Sequence, residues 1–431
     1  MTRKIVFLFL LLWLCSLRQP CFSQNPRRDV DILDFIDTTI RNYYYDPAYH
    51  GVDLDNHFKS FREKLKKSKS DQESMALLAS SLLEFNDSHT VFLPPAFEEE
   101  LDPDWEMMMI GESCVITKVD PQSDAEKRGL KAGDVVLSID GAQPLRKDLW
   151  KIEYLSRYLN PLKVRHLVVQ SPGQNPRAVT AAVRAKKYLR PTNDDILREH
   201  TQARQRNVEM VYRISGDVGL WRLPDVEDYD EKGIDQLLEK IKGYKKLILD
   251  LRGNLGGYHN VTFAILSCLF TREVKAVELK GRKDSKPYTV KPHKKGAFEG
   301  ELVALVDSKS SSAAEIIARV VQLGKRGKVV GDRTAGKVVG AQTFTSRYTT
   351  PTAVVRFSSW YGVRVSTVDL IMADGKSLEG VGVQPDELLL PKPEDIAGKR
   401  DPVLARAAAM LGVEFDPAKA WSLLNTQPPA K

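Results

Sequence analysis

Three consecutive serines, Ser310-Ser311-Ser312, precede Ala313-Ala314-Glu315 and an apolar run through Ile316, Ile317, Val320 and Val321. Serine caps a helix well, and one residue suffices for that. The start of a helix also presents N–H groups without partners and a partial positive charge. A serine oxygen placed there can attack a carbonyl while the Ala313 N–H binds the developing oxyanion. A second donor has to come from another loop. Gly256 or Gly257, in the turn Arg252-Gly253-Asn254-Leu255-Gly256-Gly257, suits that task, since glycine lets backbone approach a ligand closely. The same turn also reads as an ordinary strand-to-helix connection.

Such a serine needs a base. Lys337 sits in the turn Thr334-Ala335-Gly336-Lys337 after a predicted strand. A loop lysine is usually exposed and charged. Desolvation lowers a lysine pKa by up to several units, and Val338 and Val339 are placed to supply an apolar pocket. Gln342 is a candidate to orient the amine, or else a plain surface glutamine. Commoner layouts are absent. The glycine turn lacks G-x-G-x-x-G, and no Ser or Thr follows Lys337 as a P-loop requires. There is no H-E-x-x-H, C-x-x-C, G-x-S-x-G or S-x-x-K. No metal or cofactor is expected.

The elements that must position these residues alternate between strand and helix from residue 187 onward, which predicts an α/β core. Buried-type strands are expected over 245–250, 302–306 and 328–331, with helices after the first two. Residues 103–186 read differently: strand (Cys114 to Val119), short helix (Ser123 to Arg128), a Gly129-Leu130-Lys131-Ala132-Gly133-Asp134 loop, strand (Val135 to Ile139), Asp140-Gly141 turn. That order resembles a PDZ domain, whose members bind extended peptides at a sheet edge. Ahead of it, Ile32, Leu33, Phe35, Ile36 and Ile40 fit a helical period, followed by helices carrying Phe58, Phe61, Leu65 and Leu77, Leu78, Leu82.

Taken together, the motifs resemble those of the carboxyl-terminal processing peptidases, or tail-specific proteases. Asp250 to Gly257 is similar to the family's D-L-R-x-N-x-G-G, and Ser310 to Glu315 to its S-A-S-A-S-E. Asp87 to Pro94 resembles D-x-H-S-x-F-L-P, and Glu379 to Asp386 resembles G-x-G-V-x-P-D. The family nucleophile falls on Ser312. The family base lies 25 residues later, on Lys337. The resemblance implies a multidomain α/β protein: an N-terminal helical segment, a PDZ domain built as a partly open β-barrel with short helices, an α/β-sandwich protease core and a C-terminal helical tail. It implies a serine endopeptidase with a Ser312/Lys337 dyad, an acyl-enzyme intermediate and an oxyanion hole from Ala313 with Gly256 or Gly257.

This chain departs from the family pattern in places. The orienting glutamine usually follows the lysine by four residues; here that position is Ala341, and Gln342 is one residue late. Where related PDZ domains carry a Gly-rich carboxylate-binding loop, the chain has Asp104-Trp105-Glu106-Met107-Met108-Met109-Ile110-Gly111, whose acids disfavour a bound carboxylate. Trp105 and the methionines read as core, or as a plug in an apolar groove. Two other functions remain open. One is a catalytically silent peptide- or ligand-binding protein, as interphotoreceptor retinoid-binding protein uses a similar core. The other is a peptidase whose base is His259, in the manner of tricorn-like relatives.

The 431 residues carry a formal charge of +7. Arg3, Lys4 and Arg18 lie in residues 1–23, where a basic start, the apolar run Ile5 to Leu14 and Cys21-Phe22-Ser23 read as a cleavable secretory signal; +4 remains, too little to argue for nucleic acid. The expected organisation is signal 1–23, helical domain 24–102, PDZ domain 103–186, protease core 187–396 and tail 397–431. Substrates would be exported proteins or peptides with exposed C-termini in a bacterial periplasm or envelope; a homo-oligomer and an adaptor protein are both compatible with the sequence. Cys114 and Cys268 lie in apolar runs and read as buried thiols.

Overall fold

In the computed structural model, which describes residues 26–95, 99–154, 162–187, 210–227, 229–351 and 356–425, the chain begins with three helices, α1 (Pro26–Tyr43), α2 (Leu54–Lys66) and α3 (Asp71–Leu83). The proposed signal lies outside those residues. Asp53 caps α2 by accepting from the Asp55 and Asn56 N–H groups, and Ser70 caps α3 by accepting from Glu73. Ile32, Leu33, Ile36 and Ile40 share one buried face with Phe58, Leu65, Leu78 and Leu82. Tyr361, Val363 and Val365, from far along the chain, complete this core.

Strand β1 (Val91–Leu93) leaves the helices and β2 (Glu99–Asp102) follows. An antiparallel sheet then forms from β3 (Trp105–Ile110), β4 (Ser113–Val119), β5 (Val135–Ile139), β6 (Val164–Gln170) and β7 (Arg177–Ala182) in that order. Helices α4 (Asp124–Lys127) and α5 (Leu149–Tyr154) pack with it. Strand β8 (Arg184–Lys187) returns to pair with β2. That ribbon brackets the PDZ-type sheet: β2 ends at the expected edge 102/103, and the expected edge 186/187 falls before the last residue of β8. Residues 105–110 form a strand rather than a loop; Trp105 and Met109 are buried in its core, while Met107 and Met108 are half-exposed.

The second half supplies β9 (Val211–Ser215), β10 (Val218–Arg222), α6 (Glu231–Lys242), β11 (Lys246–Asp250), α7 (His259–Ser267), β12 (Val274–Gly281), β13 (Ser285–Val290), β14 (Glu301–Val306), α8 (Ala313–Leu323), β15 (Lys328–Gly331), β16 (Val339–Pro351), β17 (Arg356–Met372) and β18 (Glu387–Leu388). Helices α9 (Pro393–Ala397), α10 (Pro402–Met410) and α11 (Pro417–Asn425) end the described chain. One sheet runs β18-β15-β14-β11-β10-β9, parallel except for β9. Leu247 and Leu249 face a core shared with α6, α7 and α8; Ile248 faces the other side, against Leu404 and Ala407 of α10. A parallel strand covered on both faces reads as an unbroken apolar run, as Leu-Ile-Leu does here. A second sheet joins β1, β17, β12 and β13, with β16 alongside β17. Cys114 and Cys268 are buried free thiols, each pushed up to about 12 by burial.

Candidate active site

Strands β11, β14 and β15 are neighbours in the parallel sheet. The residues following their C-terminal ends are 251–257, 307–312 and 332–337, so strand order alone gathers the glycine turn, the serines and the lysine at one edge. Open parallel sheets place ligands at that edge.

The three serines have separate tasks. Ser310 is buried; its hydroxyl donates to the Leu251 carbonyl at 2.8 Å and ties the serine loop to the exit of β11. The Ser311 N–H donates to the Asn254 carbonyl at 2.9 Å. Ser312, at the start of α8, adopts φ 54° and ψ −115°, a conformation costing a non-glycine residue about 1–3 kcal/mol. Its N–H donates to the Lys337 carbonyl at 3.0 Å and to the Glu315 carboxylate at 3.1 Å.

The glycine turn is fixed by its neighbours. Asn254 is buried and donates to the Leu223 carbonyl at 2.8 Å, while its oxygen accepts the Gly256 N–H at 2.7 Å. Arg252 forms paired bonds to Asp250 and Asp401, joining β11 to the cap of α10. Gly256, at φ +102°, lies so close to the nucleophile that a Cβ would stand 2.6 Å from Ser312 Cβ and 3.1 Å from its Oγ. A Cβ on Gly257 would meet the Val226 carbonyl oxygen at 2.2 Å. The Gly256 N–H is therefore engaged by Asn254, whereas among the described residues neither the Gly257 nor the Ala313 N–H has a hydrogen-bond acceptor.

Lys337 is half-buried. Burial pulls its amine below the ordinary lysine value, against the opposing pull of Glu153, Glu315 and Glu379. The apolar wall was expected from Val338 and Val339, but both are packed into the interior with less than 5% exposure. The amine instead lies 5.8 Å from the centroid of the Trp150 ring, on α5 of the PDZ-type domain. Among the described residues no hydrogen bond joins its Nζ to Ser312 Oγ, so the amine is turned toward α5 in this state. That domain is held against the core by Arg146, which donates to the Gly111 and Arg333 carbonyls and to Asp332 at 2.5 Å.

Gln342 lies on β16, exposed, opposite Val365, just past a register shift between Gly340 and Ala341. Its side chain has no hydrogen bond among the described residues, to Lys337 or to any other group. His259 is exposed at the start of α7, beside Gly340. Sequence reasoning gave no role to Trp150, Glu153, Ser88, His89 or Glu379, all of which gather here. Glu379 accepts from the Ser88 N–H at 3.1 Å and the Val338 N–H at 2.7 Å. His89 is pulled down to about 4 by burial, with Arg364 and Lys337 adding to it. The motif around Asp87 and the Glu379 stretch had marked these positions without a task. A cavity of about 840 Å³ connects the two domains, lined by Met107, Leu149, Trp150, Leu255, Lys337 and Val381 among others.

Residues 217–389 match the model of peptidase family S41, and residues 100–147 match the PDZ domain. Residues 217–389 thus carry a peptidase family S41 core, with a PDZ domain ahead of it. The S41 core is of the serine-peptidase type, and its relatives include carboxyl-terminal processing proteases. One from Bartonella bacilliformis is 25% identical over 67% of this chain and 61% of its own length. CtpB of Bacillus subtilis is 26% identical over 58% of this chain and 52% of its own. A tricorn protease homologue of Streptomyces coelicolor is 26% identical over 91% of this chain but 32% of its own length. The chain thus spans about a third to two thirds of the length of the relatives it matches. Mature CPAF shares its fold with a TM-score of 0.64 at 15% identity, covering 93% of this chain and 98% of that one. The photosystem II D1 C-terminal processing protease shares it at 0.50 and 19% identity, covering 85% and 94%.

Proposed function

We propose that this protein is a serine endopeptidase that trims exported proteins near their C-termini. Ser312 is the nucleophile and Lys337 the general base. The neutral lysine takes the Ser312 hydroxyl proton as Oγ bonds to the peptide carbonyl carbon. The resulting oxyanion accepts from the Ala313 and Gly257 N–H groups; the Gly256 N–H joins only if Asn254 releases it. The C–N bond breaks, the lysine returns the proton to the leaving amine, and water then cleaves the ester. Productive geometry requires the amine to swing from Trp150 toward Ser312, as catalytic bonds often tighten only with substrate.

The observation that carries this reading is the left-handed Ser312 at the start of α8, its N–H bonded to the carbonyl of Lys337. Leu255 and Val381, 73% and 57% exposed, line the cavity with Met107 and Leu149, which favours an apolar substrate tail. Among the described residues no helix is long and apolar enough to cross a membrane; residues 1–23, read as a secretory signal, support export to a bacterial periplasm or envelope. A homo-oligomer or an adaptor is compatible with the exposed rim of the cleft.

The test is mass spectrometry of a folded reporter carrying an exposed apolar C-terminal tail. The wild-type protein shortens the tail and Ser312→Ala does not. Equal shortening by Ser312→Ala contradicts the assignment. A tail bound but never cut by the wild type, with no labelling of Ser312 by a fluorophosphonate, assigns the silent binding role instead.

A further inference from the structure

Resting on the peptidase reading, we propose that Glu315 is a positioning residue that locks the nucleophile and the turn carrying the base into one rigid unit. Its side chain is fully buried on the first turn of α8. One oxygen accepts from the Thr334 hydroxyl at 2.5 Å and the Gly336 N–H at 2.8 Å. The other accepts from the Lys337 N–H at 2.8 Å and the Ser312 N–H at 3.1 Å. A single carboxylate thus binds the backbone of both reacting residues. The connection continues outward: the Thr334 hydroxyl accepts the Val383 N–H at 2.6 Å, and Gly380 donates to the Gly336 carbonyl at 2.8 Å. The loop holding Glu379 is thereby tied to the same unit.

The chemistry of the donor set favours an anion. Three of the four partners are backbone N–H groups that can only donate, and an ionised carboxylate, which is acceptor-only, satisfies all four. A neutral acid can direct its proton only at the Thr334 hydroxyl, which then loses its own acceptor, and an amide leaves a backbone N–H unpaired. The position suits an anion, because helix N-termini stabilise negative charge. Burial nevertheless outweighs these donors and pushes the Glu315 carboxyl up to about 7. The charged groups of the turn are Asp332 (paired with Arg146), Arg333 and Lys337 itself; Glu379 from the loop after β17 and Glu153 from α5 also face Lys337. Catalysis then needs two deprotonated groups, the Glu315 carboxylate and the Lys337 amine.

The test compares wild type, Glu315→Gln and Thr334→Val in kcat, KM and pH profile on one peptide substrate. Glu315→Gln keeps size but leaves a backbone donor unpaired, and kcat is expected to fall about 10–100-fold with KM within about twofold, as for a displaced catalytic group. Thr334→Val, which removes one donor, lowers kcat by about 3–10-fold. The decisive readout is slope. As pH falls through about 7 the wild-type rate changes from a one-proton to a two-proton dependence, while Glu315→Gln keeps a one-proton slope. If Glu315→Gln fails to fold by circular dichroism, Thr334→Val carries the test. An active wild type whose Glu315→Gln variant matches it in kcat and slope, or in that case whose Thr334→Val variant matches it in kcat, overturns this inference alone. A wild type that neither cleaves nor labels overturns the peptidase reading and this inference with it.

Discussion

Gly256→Ala probes how closely the glycine turn is fitted to the nucleophile. The added methyl would lie 2.6 Å from Ser312 Cβ, 3.1 Å from Ser312 Oγ and 3.2 Å from the Ala313 nitrogen. Carbon atoms rest at about 3.5–4.0 Å, so the turn and the serine must separate by roughly 1 Å. Neither side yields easily, since Asn254 holds the turn and the Lys337 carbonyl and Glu315 hold Ser312. A misplacement of about 1 Å costs on the order of 100-fold in rate, equivalent to about 2.7 kcal/mol. The φ of +102° adds backbone strain of about 1–3 kcal/mol to stability. Gly253→Ala is the control: Gly253 also has positive φ, at +71°, but a Cβ there meets nothing within 4 Å. Peptide-cleavage kinetics with active-site titration should show Gly256→Ala reduced about 100-fold and Gly253→Ala within about threefold of wild type, both folded. A Gly256→Ala protein as active as Gly253→Ala refutes the reasoning.

Other outcomes follow from the same contacts. Arg252→Met leaves Asp250 and Asp401 buried without their cation and should lower unfolding free energy by about 3–5 kcal/mol, read by denaturant titration. Ser310→Ala removes the bond to the Leu251 carbonyl and should cost about 1 kcal/mol while leaving cleavage within a few-fold, whereas Ser312→Ala abolishes cleavage without lowering stability. Gln342→Ala should leave kcat within about twofold, because the Gln342 side chain is exposed and has no hydrogen bond among the described residues; a loss above 10-fold would mean that the side chain reaches Lys337 in the working state.

The parts of the site legible in the sequence are those set by strand order. Ser312 and Lys337 follow adjacent parallel strands, and the helix and strand between them fix their spacing at 25 residues. The unbroken apolar runs of β11, β14 and β15, strands covered on both faces, made the core legible. Trp150 and Glu153 were not, because their place against Lys337 comes from docking one domain on another through Arg146, and no local pattern encodes such a contact. The pairing of β1 with β17 was equally hidden: Val91 meets Arg364 across more than half the chain. The sequence assigns the apolar surroundings of the lysine to Val338 and Val339, but both side chains are buried in the interior and the indole of Trp150, from the other domain, lies beside the amine.

The most direct test of the Ser312/Lys337 assignment is the rate at which a fluorophosphonate labels Ser312 as a function of pH, in wild type and in Lys337→Met. Burial lowers the Lys337 pKa, so the neutral amine accumulates as pH rises. The wild-type rate should therefore climb with pH and level off at an inflection below about 10.4, the value of a free lysine. Lys337→Met should fold and label at no more than background across the range. Labelling of Lys337→Met at the wild-type rate, with the same inflection, would contradict the assignment of the base.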